Sequence, residues 1–417
     1  MIMQVPPTVS RLTLFLAYAF HLIVPLIVEV GFRPPYMGEG GDFPTYYYAL
    51  RQALLGGSPY DLQALQRLSP WSVAPFLYPP PFLLSMLWTL PLSPRAGLVG
   101  MFVLNEVLLL GVLGLMRKHL GLSRGGMALL LVTFFPLWDN LLWYQVNLVL
   151  LLPVVVALFW ARRRPLGAGA LVGAAAVMKV LPGALALYWL LRREWRPLAS
   201  VAASVLGLTL LSLPLMGPIQ QWSYYTGTLL GVAGGRIHDM GIRVSISSEY
   251  NHSVLGVFSH VWPGPSPVEP SGLAVAATGL FIVFLLAAWA LRVHRGCPPE
   301  FGMASMLGII SIASTYAWEH YLVLLLPAVV LAARGSAPRW LLGTLYALTV
   351  FPLGVLLFVY GRLPGQPSPL ALTPWIAGGK MVGAAGISLL CVWFAKAPDS
   401  ASAPALEPKG LGSPQAL

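Results

Sequence analysis

The chain has 417 residues, of which 57% are hydrophobic and only 9% are charged. Soluble domains carry about 25% charged residues, so this composition excludes an ordinary soluble globule and indicates a protein that crosses a membrane several times. The formal net charge of +11 does not indicate nucleic-acid binding, because the lysines and arginines form short clusters between apolar runs, as the positive-inside bias of membrane proteins arranges them.

A membrane-spanning helix needs about 20 apolar residues, and six stretches have that length without further argument. They are residues 12–31, 96–116, 141–161, 271–291, 340–360 and 375–395. The first is too long for the core of a signal peptide and is not followed by a cleavage site of small residues, so we interpret it as a retained helix.

The stretch "GGDFPTYYYALRQALLGGSPYD" follows the first span. Its middle part, "TYYYALRQALL", predicts an amphipathic helix that lies in the interface with its tyrosines at headgroup depth, and the Gly56-Gly57-Ser58-Pro59 break ends that helix. Asp42 is then a helix cap or a site residue, and Asp61 is a cap or turn residue or a substrate contact. The next apolar run, residues 78–92, is about fifteen residues long and bounded by prolines, so we expect a surface-lying or re-entrant segment.

Residues 167–191 lie between two basic clusters, "ARRR" and "RREWR". One crossing would place these clusters on opposite sides of the membrane. Two short helices that meet near Lys179-Val-Leu-Pro182 keep both clusters in the cytoplasm, and they bring Lys179 to the far surface instead of burying its charge in the bilayer.

This topology predicts an all-α polytopic protein of the multi-pass cell membrane, with about twelve crossings in one domain over residues 1–395 and a disordered cytoplasmic tail over 396–417. Two long segments, 32–95 and 217–270, lie outside the membrane and are rich in aromatic residues, which is more typical of functional loops than of linkers. The acids map to the same outer face: Glu39, Asp42, Asp61, Asp139, Asp239, Glu249, Glu269 and Glu319.

Four groups combining aromatic with polar or charged residues also map to that face: "WYQVN" (143–147), Lys179, "YNHS" (250–253) and "YAWEHY" (316–321). Sugars stack on aromatic rings while amides, carboxylates and imidazoles bind their hydroxyls. Lys179, with Arg236, Arg243 or Arg362, is suited to a phosphate at headgroup level. These parts are typical of glycosyl transfer from a lipid phosphate.

The order of "GGDFPTYYYALRQALLGGSPYD", "FLYPPPF", "YQVN", "GAAAVMKVLPGALALYWLLRREWR", "NHS" and "STYAWEHYLVLLLPA" resembles the membrane glycosyltransferases of family 87. This GT-C-type group includes polyprenyl-phosphate-mannose-dependent α-1,2-mannosyltransferases of actinobacterial glycolipid synthesis. The resemblance extends from about Gly40 to Pro327. It aligns Asp42 with a catalytic-site aspartate of the first outer loop and His320 with a histidine of an "SW-x-HH"-like motif. The chain departs from the family at Tyr321, where a second histidine is common, at Tyr144, where glycine is frequent, and at His252, where "NQS" is usual.

The resemblance implies a GT-C-like bundle that moves a hexose, mannose in the first place, from a polyprenyl-phosphate donor to a lipid or glycan acceptor on the extracytoplasmic face. Asp42 is the preferred proton acceptor, with His320 as the alternative base or its partner. Substrate contacts are expected from seven residues: Lys179 for phosphate, Gln145, Asn147 and Asn251 for sugar hydroxyls, and Tyr46, Tyr78 and Trp318. No metal, cofactor or nucleic-acid partner is expected, because the outer acids form no close carboxylate pair and a lipid-linked donor requires no nucleotide-binding fold; the other partners are membrane lipids.

Simpler explanations remain open for several of these residues. His320 could be an interfacial residue, Lys179 could extend to the headgroups, and Glu319 could be a cap. Glu106 lies deepest in a predicted span, where acids are functional candidates. It either pairs with a polar group in the bundle or relays protons in a lipid or sugar flippase or secondary transporter, which is the main alternative function. A non-catalytic membrane scaffold is the second alternative.

Overall fold

The structure is a computed structural model that describes residues 9–27, 40–234, 241, 244–351 and 373–395. Within these ranges the chain is helical, with one isolated antiparallel bridge between Ser266 and Glu269. The predictions for Arg236, Arg243, Arg362, Glu39 and Asp239, and for the tail, fall on residues outside this description.

Eighteen α-helices are described, and the bounds in chain order are α1 (Arg11–Ile27), α2 (Phe43–Leu54), α3 (Leu62–Leu68), α4 (Pro94–Leu120), α5 (Arg124–Thr133), α6 (Phe135–Leu142), α7 (Asn147–Arg163), α8 (Pro165–Met178), α9 (Ala186–Leu191), α10 (Trp195–Leu211), α11 (Pro218–Ser223), α12 (Leu229–Ala233), α13 (Val254–Val261), α14 (Gly272–His294), α15 (Pro299–Ala313), α16 (Leu326–Arg334), α17 (Arg339–Val350) and α18 (Thr373–Trp393). Three 3₁₀ segments, Pro80–Thr89, Leu181–Leu185 and Glu319–Leu325, and one π-helical turn, Tyr224–Thr228, lie between them.

By length and composition, α4 and α14 are long and apolar enough to cross a membrane, and α5 with α6, bent by 56°, form a third span if they cross together. Six more apolar helices of 10–17 residues are present in the described ranges. The all-helical architecture and the membrane character are therefore confirmed, whereas the count of twelve crossings stays a prediction.

The predicted span 141–161 is not one helix. Helix α6 ends at Leu142, and α7 begins at Asn147 after a turn in which Tyr144 has a φ of +50°. This left-handed conformation is unfavourable for a residue with a Cβ. Glycine adopts it freely, which explains why the family resemblance leads one to expect glycine at this position.

The predicted break near Lys179 is present. Helix α8 ends at Met178, Lys179 has extended backbone angles, and the chain continues as the 3₁₀ segment Leu181–Leu185. Small residues let α8 approach α10 closely: a Cβ on Gly169 would lie 2.3 Å from the carbonyl oxygen of Pro197. The sequence therefore fixes α8 against α10 and leaves Lys179 at the end of the packed helix.

The first long segment forms α2, α3 and the 3₁₀ segment Pro80–Thr89. Helix α2 is present as predicted, but its tyrosines contact protein and not lipid, because Tyr46, Tyr47 and Tyr48 are buried. The 3₁₀ segment packs on α2, with Phe82 inaccessible to solvent. This segment and α2 therefore form a small aromatic core that supports the residue in front of α2, Asp42.

The main core surrounds α15, whose residues from Phe301 to Ile312 are all buried. Helix α18 packs against α15 and α17, and the 3₁₀ segment Glu319–Leu325 packs against α6 and α15. A helix that is apolar on every side belongs in the centre of a bundle.

Candidate active site

Two glycines with positive φ, Gly40 (+81°) and Gly41 (+56°), lead the chain into Asp42. The backbone N–H of Asp42 donates a hydrogen bond to the carbonyl oxygen of Trp143 at 3.1 Å. Asp42 occupies the N-cap position of α2, yet its side chain makes no capping hydrogen bond. Its carboxylate instead accepts a hydrogen bond from Nε2 of Gln145.

Gln145 is almost completely buried and links Asp42 to two tyrosines. Its Oε1 lies 3.3 Å from the hydroxyl of Tyr46 and 3.4 Å from that of Tyr78, and the two hydroxyls are 2.8 Å apart. The turn at Tyr144 directs Gln145 here, while the backbone N–H of Gln145 donates to Asn140 O at 2.9 Å. Four residues predicted for the site, Asp42, Gln145, Tyr46 and Tyr78, are thus in one hydrogen-bonded group.

Lys179 lies beside this group and is buried, with 9% of its surface exposed. Its Nζ donates to Asn147 Oδ1 at 3.1 Å and stands 3.5 Å from the ring centroid of Tyr321 and 6.0 Å from that of Tyr78. Lys179 therefore does not extend to the headgroups. An amide and two aromatic faces hold its ammonium in place.

Burial lowers the pKa of Lys179 to about 7, against an opposing influence from the negative charge of Asp42. Burial also raises the pKa of Asp42 above its usual range, and the ammonium of Lys179, the hydrogen bond from Gln145 and any positive charge on His320 act in the opposite direction. The Asp42 carboxyl is consequently a stronger base than a free aspartate, while it remains partly accessible.

His320 stands on the other side of Asn147, at the start of the 3₁₀ segment Glu319–Leu325. Its Nδ1 lies 3.0 Å from Oδ2 of Asp139, and its carbonyl oxygen accepts from Asn147 Nδ2 at 3.0 Å. The ring centroid of Trp143 is 6.5 Å from that of His320. Asn147 therefore connects Lys179 to His320, and Trp143 connects His320 to the backbone of Asp42.

An ionised Asp139 only accepts hydrogen bonds, so it favours the neutral imidazole tautomer in which Nδ1 of His320 carries the proton. Nε2 of His320 is buried and has no partner among the described residues. A lone pair is left free there. In the sequence, Asp139 is only one of several outer acids. The available signal was the "WDN" motif (138–140) just before "WYQVN" (143–147), because the turn between α6 and α7 brings the two motifs to the same place.

The remaining predicted site residues are placed differently. The Asn251 amide makes four hydrogen bonds to backbone groups, to Ile246 O, Thr315 O, Ala317 N and Ser253 N. This is the full capacity of an asparagine side chain, so it holds two loops together. Trp318 is partly exposed and stacks on Tyr316 with ring centroids 5.7 Å apart. Trp318 and Tyr316 pack in one cluster with Leu77, the residue before Tyr78 in the chain.

The structure shows the contacts of two further acids. Asp61 caps α3 through a hydrogen bond from Ala64 N to its Oδ1 at 3.0 Å. Glu106 is paired within the bundle, with the Tyr18 hydroxyl 2.8 Å from its Oε2. Across the described ranges, no three His, Cys, Asp or Glu side chains are arranged to hold a metal ion.

The sequence profile of glycosyltransferase family 87 matches residues 76–315, more than half of the chain. This chain belongs to glycosyltransferase family 87. The matched range of this family 87 protein contains Gln145, Asn147 and Lys179, whereas Asp42 and His320 lie outside it and join them only in the folded structure.

Among curated proteins, the family 87 chain is similar to a polyprenol-phosphate-mannose-dependent alpha-(1-2)-phosphatidylinositol mannoside mannosyltransferase of Mycobacterium tuberculosis. The two are 27% identical over 277 residues, which is 61% of this chain and 61% of the relative. The chain therefore matches about three-fifths of that relative's length. No solved structure matches this family 87 protein.

Proposed function

We propose that the protein is an integral membrane hexosyltransferase that moves a hexose from a polyprenyl-phosphate donor to a lipid or glycan acceptor, with mannose as the preferred candidate for the hexose. Membership of a glycosyltransferase family supports the reaction class, and the activity for which the mycobacterial relative is named supports the donor. The observation that carries the proposal is the position of the Asp42 carboxylate, which is free of a capping bond and shares one cluster with the Lys179 ammonium and the His320 imidazole.

The reaction needs a base and a cation on opposite sides of the anomeric carbon. The acceptor hydroxyl gives its proton to Asp42 as its oxygen forms a bond to the anomeric carbon. The bond between that carbon and the phosphate oxygen breaks, and its electron pair leaves with the polyprenyl phosphate. Lys179 stabilises the negative charge that develops on this leaving group.

His320 is the alternative base, because Asp139 holds the proton on Nδ1 and leaves Nε2 as an acceptor. A carboxylate that orients a histidine in this way also stabilises the imidazolium formed on proton uptake. We keep Asp42 as the preferred base, since it is partly accessible while His320 is buried. In this proposal His320 is the partner of Asp42.

The sugar is assigned to the aromatic and amide groups around these residues. Tyr78 and Trp318 are partly exposed and offer ring faces for stacking. Gln145 and Asn147 hold Asp42 and Lys179 directly, so they set the distance between base and cation. We place the whole site in the single domain 1–395, at the extracytoplasmic face.

Transfer assays on purified protein in liposomes test the proposal. Labelled mannose or glucose is supplied on polyprenyl phosphate together with a lipid extract as the acceptor, and the expected result is a labelled product with a new glycosidic bond. A sugar-nucleotide donor serves as the control and should give no product. Label that stays on the polyprenyl phosphate with every acceptor tried, or that crosses the bilayer unchanged, would contradict the proposal.

A further inference from the structure

A second buried charge cluster lies directly behind His320. Nζ of Lys380, a residue of α18 with no exposed surface, is 2.5 Å from Oε1 of Glu319 and also donates to the carbonyl oxygen of Thr349 at 3.1 Å. Nε2 of His252 is 3.4 Å from the other carboxylate oxygen of Glu319. The cluster thus joins α18, the end of α17 and the "NHS" loop at one carboxylate.

Stability alone does not account for a buried cluster of this kind. Removing two charges from water is expensive, and a well-packed apolar replacement is often as stable as a buried ion pair or more so. The desolvation of Lys380 and Glu319 therefore indicates that their fixed geometry has a role beyond folding. The neighbouring residue in the chain indicates what that is.

Glu319 and His320 are the first two residues of the same 3₁₀ segment. Lys380 holds the side chain of Glu319. Asn147 donates to the backbone carbonyl of His320, and Asp139 contacts its ring. The backbone N–H of His252 donates to the carbonyl of Ala317 at 2.8 Å, so the same cluster also fixes the chain that leads into this segment. The Lys380–Glu319 pair therefore anchors the residue directly before His320.

We propose that Lys380, acting through Glu319, is a positioning residue that orients the His320 imidazole between Asp139 and Asp42. Neither Lys380 nor Glu319 touches the groups assigned to substrate, so the effect passes through the backbone of residues 319 and 320. The kinetic consequence rests on the proposed hexosyl transfer; the effect on the imidazole does not.

Nitrogen NMR of protein labelled at the histidine ring nitrogens tests the orientation without any substrate. The His320 signals are identified by their loss in His320→Gln. In the wild type we expect a protonated Nδ1 and an unprotonated Nε2. In Lys380→Met, which removes the charge at nearly constant volume, we expect His320 to show both tautomers or a shifted Nδ1 signal. His320 signals that are unchanged in folded Lys380→Met would overturn the proposal.

Kinetics separate positioning from simple charge balance. Lys380→Met and Glu319→Gln each leave one buried group unpaired, and the double variant removes both charges. We expect kcat to fall about 100-fold in all three, as for a small displacement that a distant substitution causes in an active site, with the donor KM unchanged. The double variant should regain thermal stability but not kcat. Recovery of kcat together with stability would show a merely structural pair and overturn the proposal.

Glu300→Gln is the matched control, because Glu300 forms a 3.8 Å pair with a half-exposed Arg162 far from the site. It should change neither kcat nor the His320 signals. If single variants fail to fold, the double variant still decides between the two outcomes. A wild type that transfers no hexose from any polyprenyl phosphate would remove the proposed function, while the NMR comparison would still decide the role of Lys380.

Discussion

His320 and Asp139 are 181 positions apart in the chain, and Nδ1 of the histidine lies 3.0 Å from Oδ2 of the aspartate. The contact forms because the 3₁₀ segment Glu319–Leu325 packs against α6, which carries Asp139. With Asp139 ionised, the contact favours the proton on Nδ1 and leaves Nε2 as the free acceptor. Substitutions of Asp139 and His320 can therefore test whether the pair takes part in hexosyl transfer.

Asp139→Asn should lower kcat about 10- to 100-fold, the loss seen when the carboxylate that orients a metal-bound histidine is removed. The substituted amide offers a donor as well as an acceptor, so the proton is no longer held on Nδ1. Steady-state transfer kinetics measure the loss. Because the two residues act as a unit, the double variant Asp139→Asn, His320→Gln should be no slower than His320→Gln alone. Additive losses would show that the contact has no part in the reaction.

Replacing the preferred base is the most direct test of the mechanism. Asp42→Asn and Asp42→Ala should lower kcat about 10²- to 10⁴-fold, the range for loss of a general base. Asp61→Asn is the control, since Asp61 only caps α3 and asparagine is an equally good cap. Full activity in both Asp42 variants would exclude this residue from the chemistry and leave His320 as the base.

The glycine before Asp42 offers a test that leaves every polar group intact. A Cβ on Gly41 would lie 2.7 Å from the carbonyl oxygen of Trp143, the atom to which Asp42 N–H donates. Gly41→Ala should therefore displace Asp42 and reduce transfer about 100-fold. Gly56→Ala is the control: Gly56 also has a positive φ, +78°, but a Cβ there meets no atom within 4 Å. Equal activity of the two variants would show that the position of Asp42 is not critical.

Much of the fold could be predicted from composition and periodicity, because those patterns report burial along one segment at a time. Long apolar runs predicted α4 and α14, and the basic clusters flanking residues 167–191 predicted the break at Lys179. The environment of the α2 tyrosines could not be predicted in this way, because it depends on a second segment of the chain. An aromatic stripe looks the same whether a bilayer or the 3₁₀ segment Pro80–Thr89 covers it.

The site was only partly predictable for the same physical reason. Asp42, Gln145, Lys179 and His320 stand in short aromatic and polar motifs that the sequence displays. Lys380 stands in an apolar run, and its partner Glu319 is 61 positions away. A pairing at that separation depends on how α18 packs against α15 and α17, which no local pattern reports.

The pH dependence of transfer should be bell-shaped and should reflect two displaced pKa values. Lys179, whose pKa burial lowers to about 7, is cationic below that pH and loses its charge above it, so kcat/KM should fall as the pH rises past 7. Asp42 acts as a base only when ionised. Because burial raises its pKa, kcat/KM should fall on the acid side at a higher pH than for an ordinary aspartate.

Lys179→Arg separates these two limbs, because a guanidinium stays charged throughout the range. The alkaline fall should disappear in this variant, while the acid limb remains. In the wild type at saturating donor, the bound phosphate stabilises the ammonium, so the alkaline limb of kcat should lie at higher pH than that of kcat/KM. An alkaline limb that is identical in Lys179→Arg would assign it to another group.

Glu106 distinguishes the transferase from a proton-driven transporter. Its Oε2 accepts from the Tyr18 hydroxyl, and its Oε1 is 3.4 Å from His21 Nε2. Trp138 Nε1 donates to His21 Nδ1 at 2.9 Å, so the proton of a neutral His21 lies on Nε2, facing Glu106. Glu106 therefore joins α4 to α1 through its hydrogen bond with Tyr18, while its Oε1 and Nε2 of His21 lie close to each other without forming a hydrogen bond. Glu106→Gln keeps the shape of the side chain and the hydrogen bond with Tyr18, so kcat should stay within about twofold of the wild type. The free energy of unfolding should fall by about 1–3 kcal/mol, because the buried contact is weakened. Transfer assays and thermal unfolding in detergent measure both. Loss of proton-driven sugar or lipid uptake in Glu106→Gln, from a wild type that transports and does not transfer, would instead identify Glu106 as a proton carrier.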